Sequence, residues 1–102
     1  MVPWYRRGAY FPSFGADAAR LLVEERGVAA IGLDTPSIDY GASQDYPVHR
    51  IAAAKGVPGF ENLAHLDRVP TTGAIVIALP MKIEGGSGGP LRAIALVPKR
   101  AP

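Results

Sequence analysis

The stretch that decides the fold is VAAIGL at residues 28–33. Its apolar residues are continuous rather than alternating, which is typical of a strand covered on both faces, as parallel and central strands are. The preceding residues 16–26 have the pattern of a helix, with Asp17 in the first turn and Gly27 just beyond the last. A helix that leads into a covered strand predicts an α/β fold. The residues on one face of that helix are Ala18, Leu21, Leu22 and Glu25.

A long polar loop and a second helix follow the strand. Residues 34–46 are rich in Ser, Asp, Gly and Pro, and loops of this length are commonly functional or disordered. Pro47 suits the first position of a helix, because that position needs no N–H and the φ of proline is already helical. We therefore predict a helix from Pro47 to Lys55, with Asp45 or Tyr46 as its cap. Its apolar face would carry Val48, Ile51 and Ala52.

The C-terminal part has the pattern of a β-hairpin. The apolar runs at residues 74–83 and 91–97 are joined by the glycine-rich turn at residues 85–89. Pro80, inside the first run, indicates an edge position or a bulge. Residues 59–67 fit either a strand or a helical turn. The element order is that of an α/β or α+β fold with too few strands to close a sheet, so exposed edges predict either oligomerisation or a missing partner segment.

The composition bounds the class of protein. The chain has 102 residues, 48% of them hydrophobic and 20% charged, with a net charge of +2 and no cysteine. We expect an irregular arm at residues 1–12 and a single domain at residues 13–102. Disulfides and thiolate zinc sites are excluded, and nucleic-acid binding is not expected without a basic stripe. The longest apolar run, residues 74–81, is too short for a membrane span, and no signal-peptide pattern is present, so we expect a cytoplasmic protein.

Residues 85–89, Gly-Gly-Ser-Gly-Gly, match the G-x-S-x-G pattern of serine hydrolases. That nucleophile elbow requires a strand before it and a helix after it. Here Pro90 and a second β-type run follow, so a flexible hairpin turn is the favoured interpretation.

Histidines and carboxylates are the candidates for chemistry. His49 lies early in the second predicted helix, and Glu61 lies in a segment that could double back across it. A histidine and a carboxylate near one loop suit zinc or manganese, although a histidine in a helix is also commonly a surface or capping residue. For His65 a surface or partly buried position is the simpler interpretation. Aspartates of the long loop could also face a site, but such residues commonly bond the backbone of their own turns; they are Asp34, Asp39 and Asp45.

Four segments, in order, carry a resemblance that covers about residues 10–98. They resemble the C-terminal half of the cyclase family of metal-dependent hydrolases, which includes bacterial kynurenine formamidases. The segments are GLDTPSID at residues 32–39, similar to G-[IV]-D-T-x-S-x-D; DYPVHR at 45–50, a proline-histidine helix start; ENLAHLD at 61–67, with His65 where the family usually has Asn; and LPMKIEGGSGGP at 79–90, the closing hairpin.

The resemblance implies a swivelling β/β/α fold, of which this chain would form part, and assembly into dimers or tetramers. It implies hydrolysis of amide or formamide bonds, through attack of metal-bound hydroxide on the carbonyl, with one or two zinc or manganese ions. By position, His49 and Glu61 match the family's late metal ligands.

One departure from the family limits this expectation. The family's H-x-G-T-H-x-D-x-P-x-H motif, which supplies most ligands and the acid/base histidine, has no counterpart, since no histidine precedes His49. A catalytic zinc generally has three protein ligands, and His49 with Glu61 makes two. We therefore expect a truncated homologue with at most trace activity alone, partnered by a homo-oligomer or a missing N-terminal half. The alternatives are a non-catalytic assembly module and a metal site shared between subunits.

Overall fold

The computed structural model describes residues 10–100, so residues 1–9 and 101–102, and with them most of the predicted arm at residues 1–12, lie outside the described part. The chain divides into two compact units, with the division between Ala64 and His65. The first unit holds both helices and a parallel strand pair, and the second holds the hairpin. The single domain expected over residues 13–102 stays a prediction.

The first helix, α1, spans Ala16–Arg20 and continues through a π-helical turn, Leu21–Glu25. Gly27 ends it with a φ of 60°, the left-handed conformation that glycine adopts without strain. The N–H of Val28 then donates to the carbonyl oxygen of Leu22 at 3.1 Å, which closes the last turn. The helix predicted over residues 16–26 is confirmed in extent.

Two short strands pair in parallel next to this helix. Strand β1, Ile31–Gly32, pairs with β2, Gly59–Phe60, with Ile31 opposite Gly59. The N–H of Leu33 extends the ladder by donating to Phe60 O at 3.0 Å. Ile31 is 5% exposed. The covered parallel strand expected from residues 28–33 is therefore present, although shorter than the apolar run.

The second helix, α2, spans Pro47–Ala54, with Tyr46 at the N-cap position. Val48 and Ala52 are buried and Ile51 is partly buried, as the predicted apolar face requires. The buried side chains of the first helix are instead Ala19 and Val23. Leu22 packs partly buried against the core, but the rest of the face predicted for this helix is wrong. Ala19 packs in one cluster with α2 because its small side chain allows the two helices to approach. That cluster consists of Ala19, Ile31, Ile38, Val48 and Ala52.

The second unit is built around an antiparallel hairpin. Strand β3, Ile75–Pro80, pairs with β4, Leu91–Leu96, in an unbroken register from Ile75 opposite Leu96 to Pro80 opposite Leu91. Pro80 therefore ends β3 without a bulge. Proline has no N–H to donate to the partner strand, and the end of a strand is a position where this loss is tolerated. A short 3₁₀ helix, Leu66–Arg68, precedes the hairpin. No residue from 65 to 100 is buried.

Within residues 10–100, no helix has the length and apolar character needed to cross a membrane.

Candidate metal-ligand pair and its support

The loop at residues 34–46 has no helix or strand, but it is tightly folded. Thr35 is buried, and its hydroxyl donates to the carbonyl oxygen of Ser37 at 3.1 Å. The hydroxyl of Ser37 in turn accepts the N–H of Asp39 at 3.1 Å. Side chains of this loop thus bond the backbone of their own turns, as Thr and Ser in turns commonly do. These bonds turn the chain so that Ile38 enters the core and Asp39 faces the start of α2.

Asp39 caps α2 from across the loop. One carboxylate oxygen, Oδ1, accepts the N–H of Val48 at 2.9 Å, and the other, Oδ2, accepts the N–H of His49 at 3.0 Å. These are two of the N–H groups that a helix leaves without partners in its first turn. Tyr46 occupies the N-cap position in a left-handed conformation and makes no side-chain cap bond. Tyr46, one of the two residues predicted, is therefore the N-cap residue, and the side chain that accepts the free N–H groups is Asp39.

The same carboxylate contacts the ring of His49. Oδ2 of Asp39 lies 2.7 Å from Nδ1 of His49, and the Asp39 side chain is only 1% exposed. Burial by itself would raise the pKa of Asp39. The hydrogen bonds from the N–H groups of His49 and Val48 and from the His49 ring outweigh it, so the pKa lies below its usual value of 3.8. Asp39 is therefore a buried carboxylate that stays charged.

The other ring nitrogen of His49 faces Glu61. Nε2 of His49 lies 3.4 Å from Oε1 of Glu61, and both side chains are partly exposed. The N–H of Ile38 donates to the same Oε1 in a long bond of 3.3 Å, which links Glu61 to the loop that carries Asp39. Asn62, next to Glu61, has a left-handed φ of 55°, and its N–H donates to Thr35 O at 2.9 Å. The segment after β2 therefore does double back toward the helix, as the sequence allowed.

The 3.4 Å separation fits a pair of metal ligands. An N–H···O hydrogen bond is usually about 2.7–3.2 Å long, so Nε2 of His49 and Oε1 of Glu61 are farther apart than in a usual direct hydrogen bond. Two ligand atoms that each lie about 2.1 Å from one tetrahedral ion are about 3.4 Å apart. Within the described residues, no three or more His, Asp or Glu side chains converge as a ligand set. The residues present therefore fit two ligands of an ion and do not complete its shell.

The remaining candidates do not join this pair. Asp34 is exposed. Asp45 accepts only a long bond of 3.4 Å from the hydroxyl of Ser43, inside the loop. His65 belongs to the second unit, where it is exposed and precedes the 3₁₀ helix with a left-handed φ of 60°. Ser87 lies in the exposed loop between β3 and β4, and a strand follows it instead of the helix that a nucleophile elbow requires.

Comparison with known proteins identifies relatives along most of the chain. It is 38% identical over 96 residues to an isatin hydrolase of Roseibium aggregatum, a match that covers 90% of this chain and 36% of that protein. It is 40% identical over 79 residues to a kynurenine formamidase of Polaromonas naphthalenivorans, covering 78% of this chain and 35% of the relative. A kynurenine formamidase of Paracidovorax citrulli is 33% identical over 97 residues, a match that covers 95% of this chain and 44% of the relative. No protein-family model matches the chain.

A crystal structure of an isatin hydrolase bound to the product analogue thioisatinate superposes with a TM-score of 0.79. It shares 37% sequence identity, and the match covers 86% of this chain and 35% of that one. The chain is a homologue of cyclase-family hydrolases. The resemblance read from the four sequence segments and the α/β class are both confirmed. The chain spans only 35% to 44% of the length of these three curated relatives.

One feature of this cyclase-family homologue was not identified from its sequence. Asp39 was grouped with the other loop aspartates, yet it is the one that reaches both the α2 backbone and the His49 ring. The signal available was its position at the end of the G-[IV]-D-T-x-S-x-D segment, directly after the buried Ile38.

Proposed function

We propose that this chain contributes His49 and Glu61 as two ligands of a divalent metal ion, zinc or manganese, in a cyclase-type hydrolase of amide or formamide bonds. The observation that carries the proposal is the 3.4 Å separation of Nε2 of His49 and Oε1 of Glu61. Homology to isatin hydrolase and the kynurenine formamidases supports the reaction class. Further ligands and an acid/base group would come from residues outside these 102.

The role of the chain's own residues follows from their contacts. A bound divalent ion would supply a Lewis acid that polarises the carbonyl and lowers the pKa of a water. His49 offers only Nε2 for binding, because Nδ1 is engaged by Asp39. Glu61 offers a carboxylate that is held in place by the N–H of Ile38. Residues 10–100 thus provide two oriented ligands and no positioned base.

Metal binding by the purified chain tests the ligand assignment. We expect calorimetric titration with zinc to show weak binding that is lost in His49→Ala and strongly reduced in Glu61→Gln, because each variant removes one of two ligands. His65→Ala is the matched control, since it removes a histidine that lies outside the pair. Unchanged zinc binding in His49→Ala, or loss of binding in His65→Ala, would contradict the assignment.

Turnover by the chain alone tests its incompleteness. With N-formylkynurenine as substrate and added zinc or manganese, we expect at most trace hydrolysis, since two ligands bind metal weakly and no base is positioned. Robust hydrolysis that survives repeated purification would show that this chain carries a complete site.

A second candidate function is assembly with another copy through the hairpin. The specific observation is that apolar side chains cover both of its faces. Ile75 and Leu79 on one face are 62% and 69% exposed, and Val76 on the opposite face is 60% exposed. A two-stranded hairpin is marginally stable in water unless it packs against something else. In a solution of this chain alone, a second copy is the partner available to cover these side chains.

Sedimentation velocity tests this assembly. We expect the chain to sediment as a dimer or a larger oligomer. Ile75→Lys and Val76→Lys should each reduce the size of the oligomer, because a charged side chain opposes burial of its face of the hairpin against a second copy. Thr72→Lys, an exposed polar position before β3, is the control and should leave the size unchanged. A monomer at all concentrations, or an oligomer indifferent to both hairpin lysines, would contradict assembly through the hairpin. Assembly that appears only with zinc and is lost in His49→Ala would favour a metal site shared between subunits instead.

A further inference from the structure

The Asp39 carboxylate makes three hydrogen-bond contacts, and only one of them is with a side chain. Its two oxygens accept the N–H groups of Val48 and His49 at 2.9 Å and 3.0 Å, and Oδ2 also lies 2.7 Å from Nδ1 of the His49 ring. The N–H of Asp39 is tied to the hydroxyl of Ser37. The carboxylate is therefore held in place by the backbone of α2 and by its own loop, whatever the His49 ring does.

We propose that Asp39 is a positioning residue, which holds the His49 ring in the tautomer protonated at Nδ1 and so leaves Nε2 free as a lone-pair donor beside Glu61. The tautomer of His49 is inferred from these contacts alone. Its role in metal binding at Nε2 rests on the proposed function.

The chemistry of the Asp39 carboxylate and of the His49 imidazole fixes the tautomer. A charged carboxylate has only acceptor oxygens, so the short contact with Nδ1 requires the proton to lie on Nδ1. A neutral imidazole carries one proton, so Nε2 is then unprotonated. Metal-binding histidines commonly donate their second ring N–H to a carboxylate, which orients the ring and makes the ligand nitrogen more basic.

A role as helix cap alone is the alternative, and it predicts a different response to substitution. An Asn at this position keeps one oxygen that can accept a backbone N–H of α2, but its amide NH₂ is a donor. A donor opposite Nδ1 favours the tautomer protonated at Nε2, which places a proton on the metal-binding atom. A purely capping Asp39 would let the ring keep its tautomer when Asn replaces it.

Long-range proton–nitrogen NMR spectra of the histidine rings test the proposal in the absence of metal. Spectra recorded at about pH 8.5, above the usual range of histidine titration, distinguish a protonated ring nitrogen from an unprotonated one. His49→Ala assigns the signals, because the chain has only two histidines. We expect Nδ1–H and a bare Nε2 for His49 in the wild-type chain, and Nε2–H in Asp39→Asn.

The wild-type spectrum needs no variant, so the proposal stays testable even if Asp39→Asn unfolds. Nε2–H in the wild-type chain would overturn it, and so would an unchanged tautomer in a folded Asp39→Asn. Zinc affinity separates the two proposals: we expect it to fall about 10–100-fold in Asp39→Asn. A correct tautomer in a wild-type chain that binds no zinc would contradict the proposed function and leave the positioning role of Asp39 intact.

Discussion

Asp39 is charged although its side chain is almost completely buried, because four groups around it either satisfy its charge or hold its backbone. Three of them donate to the carboxylate, from two backbone N–H groups and the ring of His49, and the fourth is the Ser37 hydroxyl that holds its backbone. His49 and Glu61 could be identified from the sequence because their positions match the late metal ligands of the family that the chain resembles. The sequence did not single out Asp39, since the path of a loop depends on which residue enters the core, and here that residue is Ile38.

Acid should weaken the fold through Asp39. Because its pKa in the folded chain lies below 3.8, its stabilising contribution is fully present above the unfolded-state pKa and is lost as pH falls through the lower folded-state pKa. We expect the difference in free energy of unfolding between the wild type and Asp39→Asn to shrink as pH is lowered below about 4. Urea unfolding at several pH values measures this difference, and Asp34→Asn, at an exposed carboxylate, is the control. A difference that stays constant to the lowest pH would contradict the lowered pKa.

Removing the Asp39 carboxylate should also cost stability at neutral pH. Asp39→Ala leaves the N–H groups of Val48 and His49 without their acceptor, for which we expect a loss of about 2 kcal/mol. Asp34→Ala should change the free energy of unfolding by less than about 0.5 kcal/mol, as exposed positions usually do. Equal effects of the two substitutions, measured by urea unfolding, would contradict the capping role.

At the scale of elements, the strong local sequence patterns were sufficient to predict which helices and strands exist. The first helix, the helix at Pro47 and the hairpin all lie where spacing and turn residues indicate. The face of α1 could not be predicted, because residues 16–26 offer two apolar faces and the choice depends on packing against α2. That choice favours Ala19, whose small side chain permits close packing, and leaves Leu21 43% exposed.

The contact between β2 and the site loop depends on a glycine. A Cβ at Gly59 would lie 2.8 Å from Cδ1 and 3.1 Å from Cγ2 of Ile38, which is buried directly before Asp39. We expect Gly59→Ala to destabilise the fold by about 1–3 kcal/mol, since overpacking must move Ile38. Gly88→Ala is the matched control, because a Cβ there meets no atom within 4 Å. Thermal unfolding measures both, and equal melting temperatures for the two variants would contradict the close packing of Gly59 on Ile38.

At the scale of the whole chain, the two units differ in what they contain. The first has a core cluster and the candidate ligand pair, whereas residues 65–100 have no buried residue and an apolar hairpin. The sequence predicted the exposed strand edges from the small number of strands. It could not divide the chain at Ala64, because no change of composition marks that position. The chain spans 35% to 44% of the length of the three relatives, and the proposed metal role rests on the pair of His49 and Glu61 in the first unit.

The most direct test of that pair is a zinc titration followed at the histidine rings by NMR. We predict that zinc shifts the Nε2 signal of His49, that Glu61→Gln weakens this response, and that the His65 ring is unaffected. A His49 ring that does not respond to zinc, or a response centred on His65, would contradict this prediction.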